Sequence, residues 1–329
     1  MWRSQPSKLA VGAGIVAAVG AVAVTTFVLS RRKPNKRTKI IEMMDEFQKP
    51  HVHMKDPDRV EELVTQLIRD GKTKLLVVTD FDRTLSRFKD NSGRKVPTCH
   101  GVLDISPVLP EEYRQKAIAT REHYYPLEMS NTLTKEEKYK LMTDWWTSAH
   151  DLLVECNLNR SDIAEMVRTA NVILREHSNV MFNILDCASV PILIFSAGIG
   201  DILLEVVKQD DLVTPNVQVI SNFMEFNEED KLVGFKGELI HTYNKHEAAV
   251  HHPEYFERHR KRDNIILLGD TLGDLSMVDG MPYTQHTLKI GFLNDHIEQN
   301  LEMYKDNFDI VLISDETMDL PIAILNKIL

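Results

Sequence analysis

The chain has 329 residues, of which 43% are hydrophobic and 27% charged, which is enough for one large α/β domain with an insertion or for two domains. The net charge is −10, but the first 40 residues hold eight Lys or Arg and no acid. The remainder therefore has 31 basic and 49 acidic residues. This excess of acids argues against a body that binds nucleic acid. The three widely spaced cysteines form neither a disulfide framework nor a zinc motif, which favours a reducing compartment.

The first forty residues predict a membrane anchor. Residues 9–29 carry no charge and are rich in Ala, Val and Gly, and this run is long enough to cross a bilayer as a helix. Six basic residues follow within 31–39, against two before the run, so the positive-inside rule places the remainder in the cytoplasm. A signal peptide, a mitochondrial presequence and a nuclear signal are alternatives, but the length of the run and its basic far flank favour an uncleaved anchor.

A helix and a buried strand open the body. Residues 56–71 combine a capping Asp-Pro pair, an apolar stripe of helical period and a final glycine. Residues 75–79 predict a buried strand that runs into Asp80 and Asp82, with Thr84 two positions further. Ligands of α/β sheets bind beyond such strand ends, and two adjacent carboxylates require a cation or a shared proton. The alternative is a simple turn and helix cap.

The sheet pattern is then interrupted by a helical region. Three long helical stretches lie near 109–124, 134–155 and 160–177, with no convincing strand between them. The chain reaches this region through a loop at 93–97. An insertion placed directly after the carboxylate-bearing strand can close over those carboxylates as a cap.

The sheet pattern returns at residues 191–195. This strand runs into a Ser-Ala-Gly turn that begins at Ser196 and precedes a helical stripe. Such a turn can bind an anion through the serine hydroxyl and backbone N–H groups, although many similar turns serve only packing. A β-hairpin is predicted at 217–240, and Lys245 follows it near the start of a short helical stretch. A single lysine usually faces solvent.

A second strand that ends in acids follows. Residues 265–269 lead into Asp270, and Asp274 comes four positions later across a glycine turn. Carboxylates at the ends of two strands of one sheet form a site for a hard cation, and oxygen ligands suit Mg²⁺. Strands at 289–293 and 308–313 complete the predicted sheet.

The order of these features resembles the four motifs of the haloacid dehalogenase superfamily of phosphatases. More specifically, the chain from about residue 38 to its C-terminus resembles the cytosolic 5′-nucleotidase III, or pyrimidine 5′-nucleotidase, family. Four stretches carry this resemblance: TDFDRTLSRF (79–88), IFSAGIGD (194–201), GFKGELI (234–240) and KIGFLND (289–295). The anchor resembles that of a long form of the family.

The resemblance implies an α/β fold with a haloacid dehalogenase-like Rossmannoid core, a parallel sheet and a helical cap domain inserted after the first catalytic strand. We expect the anchor and its basic flank at 1–40, the core at 41–94 and 187–329, and the cap at 95–186. We also expect a monomer whose catalytic domain lies in the cytoplasm, anchored to the endoplasmic reticulum membrane by residues 9–29, or free in the cytoplasm without the anchor.

The family's chemistry proceeds through an aspartyl-phosphate. By resemblance, Asp80 is the nucleophile, and Asp82 protonates the leaving nucleoside oxygen and later activates water. Mg²⁺ would be held by Asp80, the Asp82 carbonyl and Asp270, with Asp274 close by or acting through water. The groups matched to phosphate binding are Ser196, the Ala197 amide, Thr84 and Lys245, the last also counted as catalytic.

The resemblance also implies how the base is held. Glu128 would meet the base edge, and its carboxylate suits the exocyclic amine of cytosine or 7-methylguanine. Phe88 and Trp146 could enclose the base, since aromatic faces favour a cationic methylated base, although Trp146 could equally be helix core. Erythrocyte-type members have serine and tyrosine where this chain has Ala149 and Trp146, whereas the 7-methylguanosine-phosphate-preferring relative shares its pattern. The base preference is therefore open.

The leading hypothesis is a Mg²⁺-dependent 5′-nucleotidase that hydrolyses CMP, UMP, 7-methyl-GMP or several of these, with phosphotransferase activity through the same intermediate. One alternative is a phosphatase for another small metabolite, such as a sugar phosphate. Another is a catalytically silent scaffold tethered to the membrane, which is disfavoured because a scaffold has no need of a carboxylate cluster.

Overall fold

The computed structural model describes residues 38–128, 130, 132–246, 253–279, 281 and 283–329. The chain divides into two compact units, Met1–Lys39 and Ile40–Leu329, and the architecture below is that of the second. The predicted anchor at 9–29 lies outside the described residues and stays a prediction. In the described part, no helix combines the length and apolar character needed to cross a bilayer.

Helices and strands alternate along most of the second unit. The α-helices are α1 (Pro57–Asp70), α2 (Cys99–Ile105), α3 (Glu111–Glu128), α4 (Lys135–Val154), α5 (Asp162–Ala170), α6 (Ser178–Cys187), α7 (Gly200–Gln209), α8 (Pro253–Arg258), α9 (Ile297–Asn307) and α10 (Asp319–Ile328). The strands are β1 (Val52–His53), β2 (Leu75–Thr79), β3 (Ile192–Ile199), β4 (Val217–Phe226), β5 (Leu232–Lys236), β6 (Asn264–Gly269), β7 (His286–Leu293) and β8 (Ile310–Ile313). Short 3₁₀ helices include Leu272–Val278, directly after β6.

The strands form one eight-stranded sheet in the order β1-β8-β7-β6-β2-β3-β4-β5. The six strands from β8 to β4 pair in parallel, and β1 and β5 add antiparallel strands at the two edges. This architecture confirms the predicted α/β core, and β4 with β5 confirms the predicted hairpin. The edge strand β1 was not predicted, because two residues are too few to show a strand pattern.

The register of the central strands brings the predicted motifs together. Thr79 in β2 lies opposite Ile194 in β3 and Leu268 in β6. The chain therefore leaves β2 at Asp80 at the same height in the sheet as the residues that precede Ser196 and Asp270. Because the strands are parallel, all three motifs emerge at the same carboxyl edge of the sheet.

Alternating side chains of the central strand bury both faces of the sheet. Leu75 and Val77 of β2 join one hydrophobic cluster, and Leu76 and Val78 join the other. All five residues of β2 are buried, as expected for a strand covered on both faces. This packing anchors the segment that leads into Asp80.

The segment between β2 and β3 contains helices α2 to α6. Helices α3 and α4 confirm the predicted stretches near 109–124 and 134–155. Helix α4 begins at a capping box in which Thr134 and Glu137 satisfy each other's backbone N–H groups. Whether 95–186 acts as a separate cap domain stays a prediction.

The predicted helix at 160–177 is wrong in its second half. Helix α5 ends at Asn171, whose left-handed backbone (φ 53°) stops it. Residues 173–176 instead run alongside the loop after β2, with a bridge between Ser86 and Leu174. Contacts between segments distant in sequence here outweigh the local helical pattern. The short helix α2 was not predicted.

Candidate active site

Three acids meet beyond the carboxyl ends of β2 and β6. Asp80, Asp270 and Asp274 each offer a carboxylate oxygen, and these oxygens lie within 4.8 Å of one another. Burial raises the pKa of Asp80 to about 7, although Lys245 opposes this shift. Such a cluster is costly unless cations neutralise it.

Lys245 supplies one of these cations. Its side chain is 2% exposed, and Nζ donates to Asp80 Oδ1 at 2.6 Å, to Asp274 Oδ1 at 2.7 Å and to the Phe195 carbonyl at 3.0 Å. Burial alone would lower the pKa of Lys245, but the two carboxylates raise it, so the ammonium stays charged. The solvent-facing alternative for this lysine is therefore excluded.

Asp274 is engaged on both carboxylate oxygens. Its Oδ2 accepts from the Asp270 N–H at 3.0 Å and from the Thr271 N–H at 2.8 Å and Oγ1 at 3.0 Å, while Oδ1 accepts from Lys245. Gly269 permits this turn, because an added Cβ would lie 2.5 Å from Asp274 Cβ. Asp274 thus holds the loop and the lysine in place.

Asp270 is the acid whose negative charge is least stabilised by neighbouring groups. Among the described residues, none donates a hydrogen bond to its carboxylate, while burial, Asp274 and Asp80 raise its pKa well above the ordinary value. An uncompensated carboxylate beside two others is what a hard divalent cation requires, since such ions prefer oxygen ligands. The residues present therefore fit a magnesium site, with Asp270 and the Asp80 oxygen that does not contact Lys245 as carboxylate ligands.

Asp82 lies at the junction of the core and the helical segment. Its Oδ1 accepts from the Cys99 N–H at 2.8 Å, at the start of α2, and burial raises its pKa. Gly198 allows this approach: an added Cβ would lie 2.9 Å from Cys99 Cβ and 3.0 Å from Asp82 Oδ2. A raised pKa favours the protonated carboxyl group, which is the form that a general acid requires.

The predicted Ser-Ala-Gly turn is wrong, because residues 196–198 lie within β3, whose pairing with β4 is irregular between Phe195 and Ile199. Ser196 and Ala197 line the same cleft as Asp80, and Ser196 Oγ accepts from the Gly198 N–H at 3.0 Å. The Ala197 carbonyl accepts from Trp146 Nε1 at 3.0 Å and from Asn222 Nδ2 at 2.9 Å. Asn222 was not identified from the sequence.

A cleft of about 760 Å³ extends from the acids to helices α2, α3 and α4. The predicted site residues that line it are Asp80, Asp82, Glu128, Trp146, Ser196, Ala197, Lys245, Asp270 and Asp274. Two predicted residues lie outside this lining. Thr84 is buried, and its Oγ1 has no hydrogen-bond partner among the residues that the structure describes. Phe88 is 4% exposed and packs its ring near Lys95 and Lys89.

Glu128 ends helix α3 and faces the cleft. Its Oε1 accepts from Thr242 Oγ1 at 3.3 Å, and burial raises its pKa. Trp146 lies on α4, and the structure does not place Phe88 opposite it. Their predicted roles at the base remain untested.

Several cleft residues were missed from the sequence. His100 of α2 makes an edge contact with Trp146, with ring centroids 5.7 Å apart, and burial lowers its pKa to about 4. Asp104 and Arg121 form an ion pair of 2.8 Å in the wall. No motif marks these residues in the sequence. Helix α2 was not predicted, and no motif shows which face of α2 or of α3 lines the cleft.

Comparisons with known proteins identify the family of the chain. Residues 83–329 match the family model described as pyrimidine 5′-nucleotidase (UMPH-1). The 7-methylguanosine phosphate-specific 5′-nucleotidase of Homo sapiens is 46% identical over 281 residues, which are 85% of this chain and 93% of that protein.

Solved structures give the same result for the fold. The crystal structure of cytosolic 5′-nucleotidase IIIB bound to cytidine aligns with a TM-score of 0.84 at 34% identity and covers 89% of this chain and 98% of the other. A HAD family hydrolase of Salmonella enterica aligns with a TM-score of 0.52 at 12% identity over 84% of this chain and 83% of its own, which concerns the fold alone.

Proposed function

Because this chain belongs to the pyrimidine 5′-nucleotidase family, we propose that it is a Mg²⁺-dependent 5′-nucleotidase that releases phosphate from CMP, UMP and 7-methyl-GMP. Family membership confirms the predicted family, the haloacid dehalogenase-like fold and the nature of the chain as a nucleotide hydrolase. The observation that carries the proposal is the buried contact of Lys245 with Asp80 and Asp274, at the closed end of a cleft that also contains Asp82.

The first half-reaction breaks the phosphate ester bond of the substrate. An oxygen of the Asp80 carboxylate attacks phosphorus and forms the aspartyl-phosphate, while the bond from phosphorus to the nucleoside O5′ breaks and its electron pair stays on that oxygen. Asp82 donates its proton to the departing oxygen, which its raised pKa favours. The contact with Lys245 holds Asp80 in place for attack.

The second half-reaction restores the enzyme. Asp82, now a carboxylate, accepts a proton from water, and the water oxygen attacks phosphorus. The bond between phosphorus and the Asp80 oxygen breaks, releasing phosphate and the free carboxylate. A second nucleoside could replace water in this step, which would give the proposed phosphotransferase activity.

Bound Mg²⁺ would supply positive charge to the carboxylates and to the transferring phosphoryl group. The ion would be held by Asp80, Asp270 and the Asp82 carbonyl, with Asp274 close by or acting through water. Ser196, the Ala197 N–H and Lys245 would bind phosphate oxygens, and the unpartnered hydroxyl of Thr84 is a further candidate.

The base would lie at the open end of the cleft. Glu128 is placed to accept hydrogen bonds from an exocyclic amine, and the Trp146 ring offers a stacking face. A relative specific for 7-methylguanosine phosphate and a relative solved with cytidine support both base classes. Phe88 would contribute only if its ring turned out of its buried position.

The organisation around this site is also part of the proposal. We propose that residues 95–186 form the cap, that 41–94 and 187–329 form the core, and that residues 9–29 hold the catalytic body at the cytoplasmic face of the endoplasmic reticulum. The uncharged run and its basic flank support the anchor.

The test is phosphate release by the full chain in detergent from CMP, UMP, 7-methyl-GMP, AMP and glucose 6-phosphate, with Mg²⁺ or EDTA. Asp80→Asn is compared with Asp211→Asn, which changes an exposed aspartate. We expect Mg²⁺-dependent release from the pyrimidine and 7-methylguanine nucleotides, lost in Asp80→Asn and kept in Asp211→Asn. Equal turnover of glucose 6-phosphate would favour a general phosphatase, and activity retained in Asp80→Asn would contradict the mechanism.

A further inference from the structure

We propose that Arg175 is a positioning residue for the reaction, because its buried side chain fixes the backbone turn that follows Asp82. Arg175 lies after α5, far in sequence from the catalytic motifs, and it is 1% exposed. This inference rests on the proposed function, since its readout is turnover.

The guanidinium of Arg175 binds the catalytic loop directly. Nε donates to the Thr84 carbonyl at 2.7 Å and Nη2 donates to the Arg83 carbonyl at 2.6 Å. Both carbonyls belong to the segment between Asp82 and the end of the loop. Two parallel bonds from one planar group fix the orientation of both peptide units.

Arg175 also binds residues of two other loops. Nη2 donates to Asn294 Oδ1 at 2.9 Å, and Nη1 donates to the Asp315 carbonyl and to Glu316 Oε2 at 3.2 Å. Its guanidinium carbon lies 4.1 Å from the centroid of the Phe292 ring. All the nitrogen atoms of the group are therefore used, and the catalytic loop is tied to the loops after β7 and β8.

These bonds act on a strained residue. Arg83 has φ of 65°, the left-handed region that is unfavourable for residues with a Cβ. Its carbonyl accepts from Arg175 and also from Asn294 Nδ2 at 3.0 Å, and its N–H donates to Ser86 Oγ at 2.8 Å. These three bonds hold the conformation. Without them, residue 83 can relax to the right-handed region.

Relaxation of residue 83 would disturb the chemistry. The residue directly follows Asp82, whose carbonyl and carboxylate both have proposed roles, and the Arg83 side chain lines the cleft. A change of φ there would redirect both groups. Arg175 would thus influence the proton transfer of Asp82 without touching the substrate.

Arg175 also joins the helical segment to the core. Its own N–H donates to the Leu85 carbonyl at 2.9 Å, and the Arg87 N–H donates to the Ile173 carbonyl at 2.8 Å. Residues 173–175, which follow α5, are therefore paired through their backbone with residues 85–87, in the loop that leads from β2 to the helices. Arg175 thus contacts this loop through its backbone N–H and the catalytic turn through its side chain.

The first test compares Arg175→Lys with Arg168→Lys, which alters an exposed arginine of α5 that pairs with Glu165. Lysine keeps the charge but cannot reproduce the planar set of donors. We expect kcat for 7-methyl-GMP or CMP to fall about 100-fold in Arg175→Lys, since small displacements of catalytic groups have effects of that size, while KM changes little. Arg168→Lys should match the wild type.

The second test separates positioning from general stability. Arg83→Gly removes the conformational cost at residue 83, since glycine accepts positive φ. If Arg175 acts by holding that conformation, Arg175→Lys should lower kcat much less in the Arg83→Gly background than in the wild type. Equal losses in both backgrounds would overturn the proposal, as would an unchanged kcat in Arg175→Lys.

A third variant covers a failure of Arg175→Lys to fold. Asn294→Ala removes the second donor to the Arg83 carbonyl and one acceptor of Arg175, so a smaller loss of kcat that Arg83→Gly again reduces is expected. A loss that Arg83→Gly leaves unchanged would overturn the proposal. No turnover by the wild-type chain would overturn the proposed function together with this inference, whereas normal wild-type turnover with an active Arg175→Lys would overturn the inference alone.

Discussion

The two ends of the cleft are built in different ways. The phosphate end is formed by residues that directly follow strands of one parallel sheet, and its charged groups are buried and bonded to one another. The base end is formed by helices between β2 and β3, whose side chains come from separate faces of α2, α3 and α4. Under the proposed function, the sheet therefore fixes the reaction, whereas the helices select the substrate.

The electrostatics of the two ends differ as well. At the phosphate end, burial raises the pKa of Asp80 and Asp270, which creates a demand for cations. At the base end, burial lowers the pKa of His100 to about 4, so this ring is neutral at physiological pH. The phosphate end therefore needs a cation, whereas the base end holds a neutral ring beside Trp146.

The largest expected effect breaks the phosphate end. Lys245→Met leaves Asp80 and Asp274 without their cation, so kcat should fall by about 10³-fold or more with every substrate. In EDTA the free energy of unfolding should fall by about 3–5 kcal/mol, as for other broken buried ion pairs. Phosphate release and urea unfolding measure the two quantities.

The matched control for this variant is Lys140→Met, which alters an exposed lysine of α4. It should leave both quantities unchanged. If Lys245→Met lowered turnover of nucleotides alone and left a simple aryl phosphate intact, the proposed division between the two ends would be wrong.

The next effect concerns the base end alone. Glu128→Gln keeps the size of the side chain but removes its charge, so kcat/KM for CMP and 7-methyl-GMP should fall by about 10–100-fold, typical of a lost hydrogen bond to a charged group. Turnover of p-nitrophenyl phosphate should not change. Glu136→Gln, at an exposed position of α4, serves as the control. An equal loss with both substrate types would place Glu128 in the reaction itself.

A smaller effect concerns the contact between the two ends. Trp146→Phe keeps an aromatic face but removes the hydrogen bond to the Ala197 carbonyl. We expect KM for nucleotides to rise about 3–10-fold, the range of one neutral hydrogen bond, with kcat nearly constant. Initial-rate kinetics measure both. A large fall in kcat with unchanged KM would show that this contact serves the phosphate end instead.

The smallest effect is a pH dependence of stability. His150 stacks on Phe235, and its Nε2 has no partner among the described residues. Its pKa is about 3 in the folded chain, so the unfolded state binds the extra proton below the ordinary value of 6.5. Stability from this group is therefore lost as the pH falls through about 6.5. From pH 7 to pH 6 the loss should be about 0.7 kcal/mol.

His150→Phe should remove this loss while preserving the stacked shape. Urea unfolding at pH 7 and pH 6 provides the measurement, and the variant should show a smaller decrease than the wild type. An identical decrease in both proteins would mean that the pKa of His150 is the same in the folded and unfolded chains.

The sequence predicted the phosphate end far better than the base end. Asp80 and Asp270 follow runs of buried residues, and parallel strands must bring such ends together. Lys245 has no such pattern around it and was recognised only through its family. In each case the prediction succeeded where a strand or a motif fixed the position.

Predictions failed where contacts distant in sequence decide the structure. The helical pattern at 160–177 gives way to pairing with the catalytic loop, and Arg175 in that stretch has no local signal of its role. Phe88 follows the catalytic motif closely, yet its ring is buried outside the cleft. Which side of a helix or loop faces a cleft depends on packing that one sequence does not reveal.

The most direct test of this division compares Ser196→Ala with Glu128→Gln on two substrates, 7-methyl-GMP and p-nitrophenyl phosphate. The ratio of kcat/KM between the substrates should stay at the wild-type value in Ser196→Ala, although both rates fall, because only the phosphate end is altered. The ratio should fall about 10-fold or more in Glu128→Gln. A ratio unchanged in Glu128→Gln, or changed equally in both variants, would contradict the separation of reaction and selection.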